Sequence, residues 1–526
     1  MIHLRPRYPA ASRSRRHCAT GWARLALMIP GLMIGGAGST YAQALRFNYA
    51  RDVEQTSLSF QDDQRYSVPY AARLPAREPP GSATVRMGPF FSSWLFSQRA
   101  GYRYVRTKGQ PLTAVVNRSS QAIGDGSEFP LISTLDLRNY LLITRNADLD
   151  LSLSARYAHY PLGTQDDEYD VTMAPEGVFG NISLGFDITR YVRAVLYESF
   201  SYRTDFVDTR GVTDEYGGQR YEYMDNNVGL NADWQLVKGK DILAGISRED
   251  LIPVTREFKD LERITYREFG AYEQQVFLPN MVVGARASYD QTDFATTNRS
   301  DWNGATYLVY LGASGGGLAP VTDVSSLRVG AGYSTASTAE TEPSVAPGGS
   351  RSDSFSMMGY VDLSTRLRRD LAHFVGFSRG VRSGFESAFE TYDTVYYRIT
   401  WNRNETKLSA HTAWTQVQPS SDSVSGYSDW SIGLEGTLPL TEWISLFATS
   451  RYDVRSNETA GTDPAVPADQ QGDYSTWANR LGTSLAVTRS IEFVTYYEHT
   501  IRRGDSPSQD STWDIFEAFF IYRHQF

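Results

Sequence analysis

Histidine and acidic side chains are the residues of this sequence that could carry chemistry, and their spacing argues against a catalytic or metal site. Beyond the amino-terminal segment the histidines are His159, His373, His411, His499 and His524. None belongs to a His-Glu-x-x-His pattern or another ligand spacing. The nearest catalytic candidates are His411 and the pair Glu498-His499, but adjacent strand residues face opposite sides and cannot pair directly. We therefore expect no enzymatic activity, no metal site and no other cofactor.

Two further local patterns have a structural interpretation. Gly315-Gly316-Gly317 is rich in glycine like a phosphate loop, but neither a Lys nor a helix signal follows it. We interpret it as a flexible turn. Asp166-Asp167-Glu168 and Asp170 form an acidic cluster in a predicted loop. The cluster lacks calcium-loop spacing, so solvated charge is favoured over cation binding, which stays the alternative.

The elements that must hold these residues are short alternating segments. Residues 149–157, 182–189, 394–401 and 430–438 alternate apolar and polar side chains. A period of two indicates β-strands whose two faces meet different surroundings. Alternation alone does not say whether the apolar face points inward, as in a soluble sandwich, or outward into lipid.

The connections between these segments are strongly asymmetric in length. Segments of about ten residues are joined in pairs by very short turns, such as 145–148, 238–240 and 402–404. Long polar loops separate the pairs, at 161–178, 204–226, 249–262, 337–353 and 455–475. Short turns on one side and long loops on the other are typical of outer-membrane barrels. The sequence therefore predicts an all-β protein, a transmembrane antiparallel up-and-down β-barrel with short periplasmic turns and long extracellular loops.

A strand count follows from this rhythm. Pairing one descending with one rising segment between residues 83 and 526 predicts 20 strands. The first hairpin, which begins with 83–106, has the weakest pattern, so 18 strands is the alternative. The last strand then descends and must close against the first. A barrel of this size is too wide for its own side chains to fill.

Charged residues on the polar face of the strands are the candidate lining of a pore. They are Arg156, Asp187, Arg286, Asp290, Asp362, Arg366, Arg398, Glu435, Arg451, Asp453 and Arg480. Charges of both signs on opposing walls would set up a field across a water-filled channel. They would equally serve to pair across strands and keep the interior hydrated. The mixed signs argue against a channel strongly selective for one sign of charge.

Composition agrees with a membrane barrel. Aromatic residues make up 13% of the 526 residues, and 33 of them are Tyr, which suits the girdles at membrane interfaces. No apolar run beyond residue 42 approaches the roughly 18 residues of a membrane helix. A Tyr-rich soluble β-protein remains the alternative on composition alone.

The amino-terminal residues 1–42 are predicted to be a signal peptide. Six arginines precede or flank the short apolar run 25–38, and Thr40-Tyr41-Ala42 offers small residues for cleavage. Removing this segment, which holds no acidic residue, would change the net charge from −9 to −15 and remove Cys18, the only cysteine. Residues 43–82, with a Pro-rich run, are predicted to be a periplasmic extension, and 83–526 the barrel.

The last eleven residues alternate an aromatic face with a charged one. The aromatic face holds Phe526, His524, Tyr522, Phe520 and Phe516. This pattern resembles the carboxyl-terminal signature of outer-membrane β-barrel proteins, although His524 departs from the apolar residue usual there. The resemblance implies that Phe526, with Tyr522 and Phe520, is the signal read by the barrel assembly machinery.

The region 83–526 as a whole resembles the outer-membrane porins that accompany exopolysaccharide biosynthesis and export systems. The resemblance is carried by the hairpin rhythm, by 395–401 and 438–446, and by Phe526. These features define the architecture well and the family weakly. They imply a channel of the cell outer membrane for exopolysaccharide export or passive diffusion. The alternative is a structural or adhesive barrel whose acidic surface loops bind cations or a partner.

The same resemblance implies the partners. They are outer-membrane lipid and lipopolysaccharide, the barrel assembly machinery and polysaccharide export components. We expect no nucleic acid among the partners.

Overall fold

The computed structural model describes residues 85–525 apart from a set of omitted positions. Those positions are 110–125, 162–167, 173–181, 208–218, 277, 279, 297–300, 339–352, 384–388, 421–425, 458–472, 489 and 505–509. The predicted signal peptide, the predicted extension 43–82 and Phe526 lie outside the described residues. Within the described part of the chain, no helix is long and apolar enough to cross a membrane.

Across the described residues the protein is all-β, with 20 long antiparallel strands. We number them β1 to β20 in chain order. They are β1 Phe90–Gly109, β2 Leu131–Thr144, β3 Ala147–His159, β4 Ile182–Thr189, β5 Val192–Val207, β6 Gln219–Val237, β7 Lys240–Pro253, β8 Arg263–Gln275, β9 Val282–Phe294, β10 Trp302–Gly312, β11 Ser325–Thr338, β12 Asp353–Arg368, β13 Leu371–Ser383, β14 Phe389–Arg403, β15 Thr406–Pro419, β16 Tyr427–Pro439, β17 Ile444–Asn457, β18 Tyr474–Ala486, β19 Ile491–Gly504 and β20 Ser511–Gln525.

The sheet closes on itself. Each strand pairs antiparallel with the next, and β1 pairs both with β2 and with β20. The closing register runs from Leu95 opposite Gln525 to Gly109 opposite Ser511. The predicted 20-strand barrel is therefore confirmed and the alternative of 18 is wrong, because the first hairpin contributes a full strand to the seam. Closure leaves no unpaired edge, which lipid could not tolerate.

The predicted loop 161–178 needs a correction. Glu168–Thr172 is a short strand that pairs with Ser154–Ala158 of β3 and with Ser201 and Tyr202 of β5. It continues the line of β4, because β3 and β5 extend beyond β4 and their backbone groups need a partner there. Part of the acidic cluster thus lies in the wall, with Asp170 opposite Arg156, whereas Asp166 and Asp167 are outside the described residues.

The predicted loop 249–262 is also more ordered than expected. Strand β7 runs to Pro253, and a 3₁₀-helix follows at Arg256–Leu261. Phe258 and Leu261 are buried there, with Leu261 1% exposed, and they pack with Tyr223 and Leu251. Because these two apolar side chains lie within a polar stretch of sequence, the local composition predicted a loop.

The turn between β10 and β11 contains a 3₁₀-turn at Ser314–Gly316. Gly316 has a φ of +74°, a conformation that favours glycine, and the Gly316 carbonyl oxygen lies 3.5 Å from Nη1 of Arg328. The triple glycine is therefore a turn, as predicted. Further short strands lie at Val85–Met87, Gly126–Glu128 and Ala319–Pro320.

Candidate functional site

The two faces of the barrel wall are distinguished by strand register and exposure. On one face, large apolar side chains such as Leu434, Leu481 and Phe520 are more than half exposed. On the other face, charged side chains are buried, including Glu498, Asp362 and Glu517. Residues directly opposite in the ladder share a face, so each assignment carries from strand to strand around the barrel. We call the first the outer face and the second the inner face.

The outer face has the composition of a lipid-contacting surface. Aromatic and aliphatic side chains such as Trp430, Ile432, Trp477 and Phe516 are exposed on it. A closed barrel satisfies all its backbone groups internally, and an apolar exterior then suits the hydrocarbon core. This chain is an outer-membrane β-barrel protein. Phe520 and Tyr522 of the predicted assembly signal are exposed on this outer face.

The inner face of the outer-membrane barrel holds all the predicted lining residues. By register, eleven side chains lie on this face: Arg156, Asp187, Arg286, Asp290, Asp362, Arg366, Arg398, Glu435, Arg451, Asp453 and Arg480. Arg366 is exposed close to the short-turn end. Arg286 is 5% exposed, and its guanidinium carbon lies 4.8 Å from the ring centre of Phe269.

Two pairs of the predicted residues come together as ion pairs. Nη2 of Arg398 on β14 lies 2.9 Å from Oε1 of Glu435 on β16. The intervening β15 contributes Ser409, whose Oγ accepts a hydrogen bond from Arg398 Nε at 3.1 Å. Arg451 and Asp453 pair along β17 at 2.8 Å. Charge-assisted contacts of this kind fix long side chains against the wall.

Other predicted residues pair with partners that the sequence did not reveal. Arg480 pairs with Glu498 at 2.6 Å, and Asp290 pairs with Arg267 at 2.6 Å. Asp362, 1% exposed, pairs with Arg328 and accepts a hydrogen bond from the Tyr396 hydroxyl. Arg267 and Glu498 lie at inner-face positions in the alternating pattern of their strands. This alternation is the sequence signal that could have identified them as partners.

The closing seam carries a charge cluster that sequence reasoning missed. Glu517 on β20 pairs with both Arg99 and Arg103 of β1, with Arg103 Nε at 3.2 Å. The guanidinium of Arg99 also stacks 3.5 Å from the ring centre of Phe519. These partners are separated by more than 400 positions in the chain, so only closure brings them together.

A second buried network fastens the β10–β11 turn to the inner face. Glu273 is fully buried, and its carboxylate accepts hydrogen bonds from the Tyr310 hydroxyl and from Ser314 Oγ, each at 2.5 Å. A buried carboxylate needs such donors because desolvation is costly. The turn therefore forms part of the inner face near the short-turn end.

Several inner-face tyrosines lie flat against glycines of the neighbouring strand. A Cβ added at Gly284 would overlap the ring of Tyr310, one at Gly330 the ring of Tyr360, and one at Gly376 the ring of Tyr396. Missing side chains at these glycines let the rings lie along the wall, where Tyr310 and Tyr360 are buried. The inner face is thus a wall of paired charges and flattened aromatic rings.

The two candidate histidines lie on opposite faces of the wall. His411 is on the inner face, opposite Gly433, whereas His499 is on the outer face, with Nδ1 2.7 Å from Oδ1 of Asp514. Glu498 and His499 point to opposite sides, as expected for strand neighbours. Among the described residues no three acidic, His or Cys side chains are grouped as metal ligands.

No protein-family model matches the chain, and no curated protein matches it in sequence. Similar solved structures include the FrpB iron transporter from Neisseria meningitidis (F5-1 variant), with TM-score 0.45 and 8% identity over 82% of each chain. The siderophore receptor PirA from Pseudomonas aeruginosa has TM-score 0.42 and 10% identity, covering 82% of this chain and 80% of that one.

A loop-deletion mutant of OmpT, an outer membrane protein of Vibrio cholerae, has TM-score 0.34 and 11% identity, covering 83% of this chain and 100% of that one. At this level of similarity, neither a substrate nor a site residue transfers to this chain.

Proposed function

We propose that this outer-membrane barrel is a porin-like channel for hydrophilic solutes. The observation that supports it is the inner face, where Arg398–Glu435, Arg480–Glu498 and Arg451–Asp453 pair charges of opposite sign. Paired charges hold water along a wall without imposing a strong field of one sign. Such a wall admits neutral and weakly charged polar molecules rather than selecting one kind of ion.

Exopolysaccharide export is the specific role that we propose for this channel, with passive diffusion as the broader one. Sugar hydroxyl groups both donate and accept hydrogen bonds, so they can exchange partners with guanidinium and carboxylate groups along the wall. The apolar face of a sugar ring can contact the flattened ring of Tyr396, which is half-buried on the inner face. We propose no catalytic role for this barrel.

The decisive experiment is conductance of the purified protein in a planar bilayer. A channel should give stepwise current, and neutral or charged oligosaccharides should reduce that current as their concentration rises. A silent membrane at every voltage would refute the channel and favour the structural or adhesive alternative. Conductance that oligosaccharides leave unchanged would refute polysaccharide export and retain passive diffusion.

A further inference from the structure

A groove of about 720 Å³ crosses the outer face of the barrel from β13 to β19. Its lining includes six large apolar side chains: Leu371, Ile399, Trp401, Leu408, Leu434 and Leu481. Small residues between them, Ala410, Gly436, Ala448 and Ser450, leave the depression. Because this face contacts the bilayer, the groove is positioned to receive hydrocarbon.

The groove follows two neighbouring rows of paired residues around the wall. It passes over six strand-to-strand steps of about 4.8 Å, which gives a length of about 29 Å. Leu371 is the first residue of β13, at the short-turn end, whereas His499 lies more than halfway up β19. The groove therefore climbs obliquely toward the long-loop, extracellular end, as strand tilt requires.

The upper end of the groove is polar. Asn479, Tyr497 and His499 line it, and Asn479 accepts a hydrogen bond from Ser450 Oγ at 2.8 Å. The Tyr497 hydroxyl donates to Oδ1 of Asp514 at 2.5 Å, and His499 Nδ1 lies 2.7 Å from the same oxygen. Ionisable side chains on a lipid-facing surface are costly and mark functional positions.

One cation continues the row of His499 toward the extracellular end, and a second lies one outer-face position beyond it. Arg106 of β1 stands opposite Asp514, and Lys108 stands opposite Thr512. Both are exposed on the outer face, within the last four residues of β1. An apolar groove thus leads up to a hydrogen-bonding cluster and then to two positive charges near the extracellular end of β1.

We propose that this surface binds a phosphorylated, acylated glycolipid of the outer leaflet. Its hydrocarbon chain would lie in the groove, its sugar would meet Asn479 and His499, and its phosphate would pair with Arg106 and Lys108. The two cations favour a phosphorylated head group. Because the groove rises toward the extracellular end, the head group would lie on that side. The site is independent of whether the barrel conducts.

The test is binding of lipid A to the full-length barrel in phosphatidylcholine nanodiscs, with stoichiometry read by native mass spectrometry. The wild-type protein should bind one lipid A at this site. The variant Arg106→Ala/Lys108→Ala should bind at least tenfold more weakly, and so should Ala448→Phe, which fills the groove. Arg248→Ala removes an exposed outer-face cation on β7 and should bind like wild type.

Folding of each variant is verified by heat-dependent mobility in gels. If Ala448→Phe fails to fold, the variant Arg106→Ala/Lys108→Ala, which changes exposed residues only, still tests the proposal. Equal binding by the double variant and wild type would overturn the proposal. Equal binding of lipid A and its dephosphorylated form would overturn the phosphate assignment. An Ala448→Phe variant that dissociates an oligomer yet retains lipid A would make the groove a contact between copies of the chain.

Discussion

Arg398 and Glu435 form an ion pair although a whole strand separates them. Their side chains meet at 2.9 Å across β15, above Ser409. Because the contact joins β14 to β16 across β15, it lies over the surface of the inner wall rather than between two adjacent strands. The pair is therefore placed to influence whatever passes along the wall.

Removing one member of this pair should change ion selectivity in a predictable direction. Glu435→Gln leaves the positive charge of Arg398 and should shift the reversal potential in a salt gradient toward anion preference. Arg398→Gln should shift it toward cations, and the double variant should return close to wild type. Arg248→Gln on the outer face is the matched control and should have no effect. Shifts of the same sign in both single variants would contradict a role for this pair at the pore.

Enlarging a glycine beneath an inner-face tyrosine should destabilise the barrel. In Gly284→Val the new side chain overlaps the ring of Tyr310, and overpacking of this kind costs about 1–3 kcal/mol. The displaced ring should also narrow the channel and lower single-channel conductance. Gly270→Val is the control, because a Cβ at Gly270 meets nothing within 4 Å. Equal denaturation midpoints for both variants would count against close packing at Gly284.

Replacing Glu273 should loosen the β10–β11 turn. Glu273→Ala removes the acceptor of Tyr310 and Ser314, and a lost buried partner costs about 1–3 kcal/mol. Hydrogen exchange should accelerate at Ser314–Gly316 while strands β14 to β18 stay protected. Glu268→Ala, an exposed position on the same strand, should leave exchange unchanged. Unaltered protection of the turn in Glu273→Ala would show that the carboxylate does not anchor it.

Deleting the terminal Phe526 should impair assembly without affecting transport by correctly inserted barrels. The physical reason is that β20 must pair with β1 to close the sheet, and the aromatic end is the predicted recognition signal. Membrane fractionation should show a severalfold loss of folded protein from the outer membrane. Phe526→Tyr, which keeps an aromatic terminus, is the control. Normal insertion of the truncated chain would contradict this role.

The sequence alone predicted 20 strands, with 18 as the alternative, and determined which residues share a face of each strand. Side-chain alternation has a period of two, and short turns are encoded by a few local residues, so both are visible without tertiary structure. Local composition misjudged parts of three predicted loops. Glu168–Thr172 is a strand because its neighbours need a partner, and Leu261 is buried within a polar stretch. Strand β5 extends to Val207 and β6 begins at Gln219, so both ends of the predicted loop 204–226 are strand.

Tertiary structure decided which charges meet. Alternation indicates which face Asp362 occupies. Its position along the strand relative to Arg328 depends on the register between β11 and β12, which a long loop connects. Closure joins Arg99 and Arg103 to Glu517 from opposite ends of the chain. The oblique groove on the outer face likewise exists only because strand pairing and tilt bring small residues of successive strands into two neighbouring rows. Which charged residues pair in a closed barrel depends on the register of the whole sheet. The face on which a residue lies depends only on the local alternation of its strand.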